Sequence, residues 1–187
     1  MRKIILTEYV TLDGVMEDPV WTMPYWNEEI AQYKRDELFA SDALLLGRVT
    51  YQGFAADWPA RTDEDGFADR MNSILKYVVS TSLKELAWNH SQLVQGNVPE
   101  AVAKLKRQPG QSILIYGSGK LAATLMRHAL IDEYRLLFYP VVQGSGKRLF
   151  QDGNNKKLKL VETKTFRSGV IALIYQATDR PVNMPKE

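Results

Sequence analysis

The sequence predicts one three-layer α/β domain over residues 1–187, with helices on both faces of a mixed, mostly parallel central sheet and a C-terminal antiparallel hairpin. Three observations predict this class. Apolar runs alternate with helical patterns up to about residue 130, as in parallel strands joined by crossover helices. The runs at 43–46 and 113–116 are apolar throughout, which is typical of strands buried on both faces. After residue 132 only strand patterns follow, and Arg167-Ser168-Gly169 between two of them predicts a hairpin.

The elements of the first half follow from apolar periodicity and capping residues. A strand rich in Ile, Thr, Tyr and Val ends at Leu12-Asp13-Gly14. Asn27 is the expected N-cap of the first helix, because two glutamates follow it in the first turn. The predicted order is a strand over 3–12, a loop, a helix over 26–39, a strand over 43–47, a helix to about 56, a polar segment over 57–73 with a short helix, a strand over 77–79 and a short strand near 92–95.

The second half begins with another helix. Pro99 predicts its first turn, since proline fits the start of a helix, and it runs to about Arg107. Pro140 is expected to break the strand in which it lies. The remaining predicted elements are a strand over 113–116, a helix over 119–130 and strands over 134–142, 158–166 and 170–176.

Composition and charge exclude several function classes. The net charge of +2 is too small to predict a nucleic-acid partner. Absence of cysteine excludes disulfides and thiolate chemistry, and His90 and His128 lack metal-ligand spacing, so no metal site is predicted. No window approaches about 18 apolar residues, and no signal peptide fits, so we expect a cytoplasmic protein without a membrane partner.

The turn Gly117-Ser118-Gly119 connects a buried strand directly to a helix. Such a helix start offers free backbone N–H groups and the positive end of the helix dipole, which favour an anion, most often a phosphate. A plain left-handed turn between strand and helix is the alternative, and the two interpretations stay open on this segment alone.

Three predicted parallel strands end in small or polar residues. The ends are Gly47-Arg48-Val49-Thr50, Ser80-Thr81-Ser82 and Gly117-Ser118-Gly119-Lys120. Ligands of open α/β sheets bind at the carboxyl ends of such strands. Arg48 and Lys120 add cations, and an arginine binds phosphate through two hydrogen bonds. Each end alone also fits a capped helix or turn, but their coincidence predicts a multi-phosphate ligand, and NADPH fits it.

Other phosphate motifs are incomplete. Neither Gly119-Lys120 nor Gly146-Lys147 completes a P-loop. The pattern G-x-G-x-x-A is formally present at Gly117, Gly119 and Ala122, but no acidic residue stands at a strand end about 20 positions later. An ordinary Rossmann domain is therefore not predicted.

Five short segments, in order over nearly the whole chain, resemble the dihydrofolate-reductase-like fold. The resemblance is closer to the reductase (C-terminal) domain of the bacterial riboflavin-biosynthesis deaminase–reductase. The matching segments lie at 11–14, 46–51, 79–81, 116–121 and 140–144. This resemblance implies NADPH as the cofactor and a homodimer as the assembly.

The resemblance also implies roles for individual residues. Gly47, Arg48 and Thr50, with Leu46 and Tyr51 in the same motif, match the turn that holds the cofactor phosphates. The other implied contacts are Ser80 and Thr81 beside the adenosine, and Gly117, Ser118, Gly119, Lys120 and Leu121 against the pyrophosphate. Leu12, Asp13 and Gly14 match the strand end and loop that approach the nicotinamide.

One position departs from the dihydrofolate reductases. They carry an acid at the start of the first helix, where this chain has Trp26 after a retained W-x-x-P pattern. Tryptophan is no general acid at neutral pH, so little dihydrofolate reduction is expected. Asp13 is the remaining catalytic candidate, although Asp-Gly is also a common turn pair. Tyr25 and Trp26, like Leu12 and Gly14, are candidate substrate contacts; the aromatic pair equally fits core packing.

The sequence thus predicts an NADPH-dependent reductase that transfers hydride to a small heterocyclic or ribosylated substrate. By resemblance, the nearest reaction is that of 5-amino-6-(5-phosphoribosylamino)uracil reductase. The deaminase partner domain is not expected, because the chain has no His/Cys/Cys zinc set. Two alternatives stay open: a pterin or dihydrofolate reductase, and a non-catalytic NADPH-binding dimeric sensor.

Overall fold

The computed structural model describes residues 1–152 and 155–178. The strands are β1 (Ile4–Thr11), β2 (Ser41–Gly47), β3 (Leu75–Val79), β4 (Ser91–Val94), β5 (Ser112–Tyr116), β6 (Glu133–Tyr139), β7 (Leu158–Thr165) and β8 (Ile171–Ala177). They form one sheet in the order β4-β3-β2-β5-β1-β6-β8-β7. The first six pair in parallel, whereas β8 is antiparallel to both β6 and β7. The predicted mixed sheet with a C-terminal hairpin is confirmed.

Five α-helices cover the sheet. They are α1 (Glu28–Phe39), α2 (Arg48–Asp57), α3 (Phe67–Ser73), α4 (Val98–Arg107) and α5 (Gly119–Arg127), with 3-10 helices at Pro19–Tyr25 and Trp58–Ala60. Asn27 caps α1 as predicted, because its Oδ1 accepts a hydrogen bond of 3.0 Å from the Ile30 N–H. Asn97 caps α4 through the Glu100 N–H. Helix α5 is shorter than predicted, since Ala129 has a φ of +51° that no continuing helix permits.

Two apolar cores lie on opposite faces of the sheet. Alternate residues of β1 belong to different cores. Ile4 and Leu6 pack with α4 and α5, whereas Ile5 packs with residues of α1, α2 and α3. A third cluster joins the 3-10 helix at Trp21 to β6 and β8. Helices therefore cover both faces, as the period-2 alternation of the strands requires.

The pairing of β1 changes along its length. It pairs with β5 over Ile4–Thr7 and with β6 over Ile5–Thr11. Thr7 lies opposite Tyr116, the last residue of β5, so β1 continues beyond the end of its neighbour. The turn at Gly117 therefore lies beside the second half of β1.

Several boundaries differ from the sequence prediction, and β2 and β3 each begin two residues earlier than predicted. Strand β6 ends at Tyr139 instead of residue 142, because Pro140 has no N–H to donate to a neighbouring strand. The segment predicted as a loop before α1 contains a 3-10 helix at Pro19–Tyr25. Within the described ranges, none of the helices has the length and apolar character needed to traverse a bilayer. The cytoplasmic location stays a prediction.

Candidate functional site

The carboxyl ends of β3, β2, β5 and β1 lie next to one another at one edge of the sheet. Because these strands are parallel, their ends meet at the same edge. Gly47 is the last residue of β2, and Ser80 and Gly117 directly follow β3 and β5. The prediction that three polar strand ends share one edge is confirmed.

Ser118 joins the turn after β5 to the start of α2. Its Oγ accepts a hydrogen bond of 2.9 Å from the Gly47 N–H and donates one of 3.0 Å to the Tyr116 carbonyl. Its own N–H donates to Thr50 Oγ1 at 2.9 Å. These bonds hold the N-termini of α2 and α5 as one unit.

Both of these helix starts lack a capping side chain. The N-cap residues Gly47 of α2 and Ser118 of α5 make no side-chain hydrogen bond to the first turn of their own helix. By contrast, asparagine caps α1 and α4, and the Ala68 N–H of α3 bonds to Asp63. Free first-turn N–H groups at two adjacent helix starts are suited to bind an anion. The residues present therefore fit a phosphorylated ligand.

Two glycines allow the backbone to approach closely here. Gly117 has a φ of +54°, and a Cβ on it would lie 3.0 Å from Thr50 Oγ1. A Cβ on Gly119 would lie 3.1 Å from the sulfur of Met16. Met16, in the loop after β1, thus covers the start of α5, a contact that the sequence analysis did not anticipate.

The predicted cations lie at the surface of the same edge. Arg48 and Lys120 are exposed at the first turns of α2 and α5. The Arg48 guanidinium donates to Gln52 Oε1 at 3.0 Å. Thr81 is also exposed, whereas Ser80 is buried and its Oγ accepts from the N–H groups of Ser82 and Leu83.

Three predicted cofactor contacts lie beneath this edge. The side chains of Leu46, Tyr51 and Leu121 are buried at 0%, 3% and 6% exposure. The Tyr51 hydroxyl accepts a hydrogen bond of 3.0 Å from the Trp88 N–H. These buried side chains support the turns from within the core, and a contact of the three residues with the cofactor stays a prediction.

Asp13 anchors a loop. Its carboxylate accepts hydrogen bonds from Thr11 Oγ1 at 2.6 Å and from the N–H groups of Gln143 and Gly144 at 3.1 and 2.8 Å. The Thr11 hydroxyl, with these amides, lowers the pKa of Asp13 to about 2. Asp13 is therefore ionised at neutral pH and has no proton to donate. These contacts favour the turn role that Asp-Gly also allows, and a catalytic role for Asp13 stays a prediction.

The loops after β1 and β6 are bonded to each other at several points. Val15 forms a β-bridge with Arg148, and the Met16 N–H donates to the Lys147 carbonyl at 2.9 Å. Glu17 forms an ion pair with Lys147. The segment that positions Met16 over α5 is thus held by residues far along the chain.

Two of the candidate substrate residues, Tyr25 and Trp26, belong to an aromatic cluster. Ring centroids lie 6.0 Å apart for Tyr25 and Tyr139, and 6.2 Å apart for Tyr9 and Trp26. Trp26 is 43% exposed, so part of its ring faces solvent. Leu12 is exposed, and Gly14 has a φ of +85° in the following turn. Stacking of a flat substrate on this cluster stays a prediction.

A group of buried charges lies behind this edge and was not predicted. Lys34 Nζ donates to Thr7 Oγ1 at 2.7 Å, forms an ion pair with Glu37 and lies 4.6 Å from the Tyr116 ring centroid. Burial lowers the pKa of Lys34, and Glu37 opposes that shift. Burial also raises the pKa of Glu8 well above its usual value, and Lys34 opposes this rise.

A clue to these charges exists in the sequence. Ile30, Lys34, Glu37 and Leu38 recur at the spacing of one helix face, and all four are buried. Separately, among the residues that the structure describes, no three His, Cys, Asp or Glu side chains gather as metal ligands.

Comparison with known proteins identifies relatives over nearly the whole chain. The family model described as the RibD C-terminal domain matches residues 2–172. The chain is 35% identical over 178 residues to the uncharacterized protein YyaP of Bacillus subtilis, covering 93% of this chain and 94% of that protein. It is 30% identical over 174 residues to the uncharacterized protein YwjB of the same organism, covering 90% and 95%.

Solved structures share the fold at lower identity. A putative riboflavin biosynthesis protein from Shewanella sp. PV-4 aligns with a TM-score of 0.75 at 20% identity, over 95% of this chain and 99% of that one. A Thermotoga maritima diaminohydroxyphosphoribosylaminopyrimidine deaminase/5-amino-6-(5-phosphoribosylamino)uracil reductase aligns with a TM-score of 0.66 at 17% identity, over 94% of this chain and 56% of that one.

Proposed function

Because the chain belongs to the RibD C-terminal domain family, we propose that it is an NADPH-dependent reductase of a small heterocyclic or ribosylated molecule. The family implies an oxidoreductase of the riboflavin-reductase type. The nearest named chemistry is that of the Thermotoga relative, a 5-amino-6-(5-phosphoribosylamino)uracil reductase. Reduction of such a compound, or of one similar to it, is the proposed activity.

The observation that carries this proposal is the junction of two uncapped helix starts. Ser118 holds the N-termini of α2 and α5 together, and their free N–H groups favour the pyrophosphate of a dinucleotide. Arg48 supplies a guanidinium at the first turn of α2, where it favours the additional 2′-phosphate of NADPH. When bound, the cofactor supplies the hydride, and the protein supplies position and charge.

A second candidate function is a non-catalytic NADPH-binding sensor. The contacts of Asp13 favour it, because an ionised loop anchor does not protonate a substrate, and Trp26 is no acid either. The same observation disfavours a pterin or dihydrofolate reductase. An active reductase oxidises NADPH with a ribosylaminopyrimidine substrate but not with dihydrofolate. A sensor binds NADPH and oxidises it with neither.

We further propose that the chain forms a homodimer. The exposed apolar side chains of Leu160 and Val161 support this assembly, since they lie on β7, the strand at the edge of the sheet. Apolar groups at such an edge favour contact with a second copy.

Nucleotide titration tests the proposed cofactor. Quenching of tryptophan fluorescence by NADPH and NADH is compared for wild type, Arg48→Ala and Arg127→Ala, the last at the opposite end of α5. We expect wild type and Arg127→Ala to prefer NADPH. Arg48→Ala loses about 1.5–3 kcal/mol of NADPH affinity, the scale of a charged hydrogen bond, and keeps its NADH affinity. A wild type without affinity for either nucleotide overturns the proposal.

A further inference from the structure

Glu8 is a buried acid with an oxygen that has no partner. The residue is 6% exposed on β1, and its Oε1 makes no hydrogen bond within the described residues. A buried polar atom left without a partner costs free energy, so such an atom points to a group that is bound during function. The proposed reductase activity assigns no role to the Glu8 side chain.

The position of Glu8 places it at the candidate site. It is the first residue of β1 beyond the paired stretch with β5, because Thr7 is the partner of Tyr116. The Gly117 N–H is close enough to act on the pKa of the Glu8 carboxyl. The acid therefore lies beside the glycine turn that begins the uncapped start of α5.

Glu8 lies on the side of the sheet opposite to the aromatic cluster. Its alternation with Leu6 and Val10, which pack with α5 residues, puts it on the α5 face of β1. Tyr9, which contacts Trp26, lies on the α1 face. Glu8 is thus placed beside the glycine turn, where it is available to a cofactor bound there.

The environment of the Glu8 carboxyl favours its uncharged form over the carboxylate. Burial raises its pKa, and the charges that act on it are Lys34 and Glu37, both from α1, with opposite signs. The Gly117 N–H opposes the rise as well. A neutral carboxyl presents one O–H donor and one carbonyl acceptor in a plane. A primary carboxamide presents the complementary pair.

We propose that Glu8 recognises the carboxamide of the nicotinamide ring through its planar donor and acceptor. This inference rests on the proposed function, since it assumes that a nicotinamide dinucleotide binds at the glycine turn. An uncharged acid suits this task because it adds no negative charge beside a phosphorylated cofactor. Glu8 is a binding residue in this assignment and takes no part in proton transfer.

Paired ligands test the assignment by affinity alone. NADPH and 2′-phospho-ADP-ribose, which lacks the nicotinamide ring, are titrated against wild type, Glu8→Leu and Glu8→Gln, with Glu162→Gln on the exposed edge strand as a control. We expect Glu8→Leu to lose about tenfold in NADPH affinity, the scale of two hydrogen bonds, and to bind 2′-phospho-ADP-ribose as wild type does. Glu8→Gln retains a planar donor and acceptor and keeps NADPH affinity within about threefold.

The outcomes separate this inference from the function on which it rests. If Glu8→Leu loses affinity equally for both ligands, or for neither, the proposed role of Glu8 is overturned. Binding of 2′-phospho-ADP-ribose to wild type would still support the proposed cofactor in that case. Wild type that binds neither ligand overturns the proposed function itself. If Glu8→Leu does not fold, 3-acetylpyridine adenine dinucleotide phosphate replaces it, because that analogue lacks the amide N–H. Wild type that binds this analogue as tightly as the carboxamide form overturns the assignment.

A pH series gives a readout that a structural role would not change. Loss of the Glu8 proton as pH rises through its raised pKa removes the donor and adds a charge, so NADPH affinity of wild type falls as pH rises. Glu8→Gln has no proton to lose and shows a flatter profile. Identical profiles for the two proteins would contradict the proposed contact.

Discussion

The Ser118 hydroxyl accepts a hydrogen bond from the Gly47 N–H at 2.9 Å and thereby ties the turn after β5 to the start of α2. The two helices start from neighbouring strands, so their N–H groups face one edge. A single side chain thus sets the relation between two uncapped helix starts. The site is therefore sensitive to changes at residue 118.

Replacing Ser118 tests this linkage. Ser118→Ala removes the hydrogen bonds to Gly47 and Tyr116, and we expect a loss of about 1–3 kcal/mol in unfolding free energy together with weaker NADPH binding. Ser118→Gly is the matched control, because residue 118 has a φ of +60° that glycine adopts without strain. Urea denaturation and titration should show Ser118→Gly more stable than Ser118→Ala, with the same loss of affinity. Unchanged affinity in both variants would contradict the role of the hydroxyl.

We expect Gly117→Ala to lower the unfolding free energy more than Gly144→Ala does. Both Gly117 and Gly144 have positive φ, so alanine costs about 1–2 kcal/mol of conformational strain at either position. Only at Gly117 does a new Cβ also meet Thr50 Oγ1, at 3.0 Å, whereas nothing lies within 4 Å at Gly144. Urea denaturation should therefore show the larger loss for Gly117→Ala. Equal losses of unfolding free energy in the two variants would show that the Thr50 side chain moves away from the new methyl group.

The buried pair Lys34 and Glu37 should show strong energetic coupling. Lys34→Met leaves the Glu37 carboxylate buried without its ammonium partner, and we expect a loss of about 3–5 kcal/mol in unfolding free energy. The double variant Lys34→Met/Glu37→Gln should lose less unfolding free energy than the two single variants lose in sum. Arg61→Met, which breaks an exposed pair with Asp57, serves as the control and costs at most about 1 kcal/mol. Additive losses at Lys34 and Glu37 would refute the coupling.

Asp13 should stabilise the protein against acid. Its pKa is about 2 in the folded state, below the ordinary value of 3.8, so the folded state binds fewer protons in that interval. The contribution of Asp13 is therefore present above the ordinary value and lost as pH falls through about 2. Urea denaturation at acidic pH should show a steeper decline for wild type than for Asp13→Asn. Asp65→Asn, at an exposed loop position, should keep the wild-type slope; an identical slope in Asp13→Asn would count against the anchoring role.

The proposed dimer can be tested at the last strand. We expect light scattering to give twice the chain mass of 21.3 kDa for wild type. Val161→Lys places a charge among the exposed apolar residues of β7 and should shift the protein to the monomer. Phe39→Lys changes an equally exposed apolar residue at the end of α1 and should remain dimeric. A wild-type mass of one chain at all concentrations would overturn the proposal.

Capping residues and apolar runs were sufficient to predict the helices and strands that border the site. Asn27 has the capping geometry expected from its position, and the apolar run ending at Gly47 is a fully buried central strand. The shared edge followed from the rule that parallel strands end together. These features depend on short-range preferences that single residues carry.

The buried charges could not be predicted in the same way. Lys34 and Glu37 lie inward because each neutralises the other, and such a pairing depends on the position of α1 over the sheet. Glu8 follows the alternation of β1, yet charged residues are rarely buried and composition alone argues against it. The contact of Met16 with Gly119 likewise depends on the path of two loops.

The contacts between Val15–Glu17 and Lys147–Arg148 also determine when, during synthesis and folding, the candidate site is complete. The turns at Gly47, Ser80 and Gly117 are all encoded before residue 122, so a nascent chain of that length already contains their residues. The residues that hold Met16 over the start of α5 are synthesised later. The proposed site would therefore be complete only after the C-terminal part of the chain has folded against Val15–Glu17.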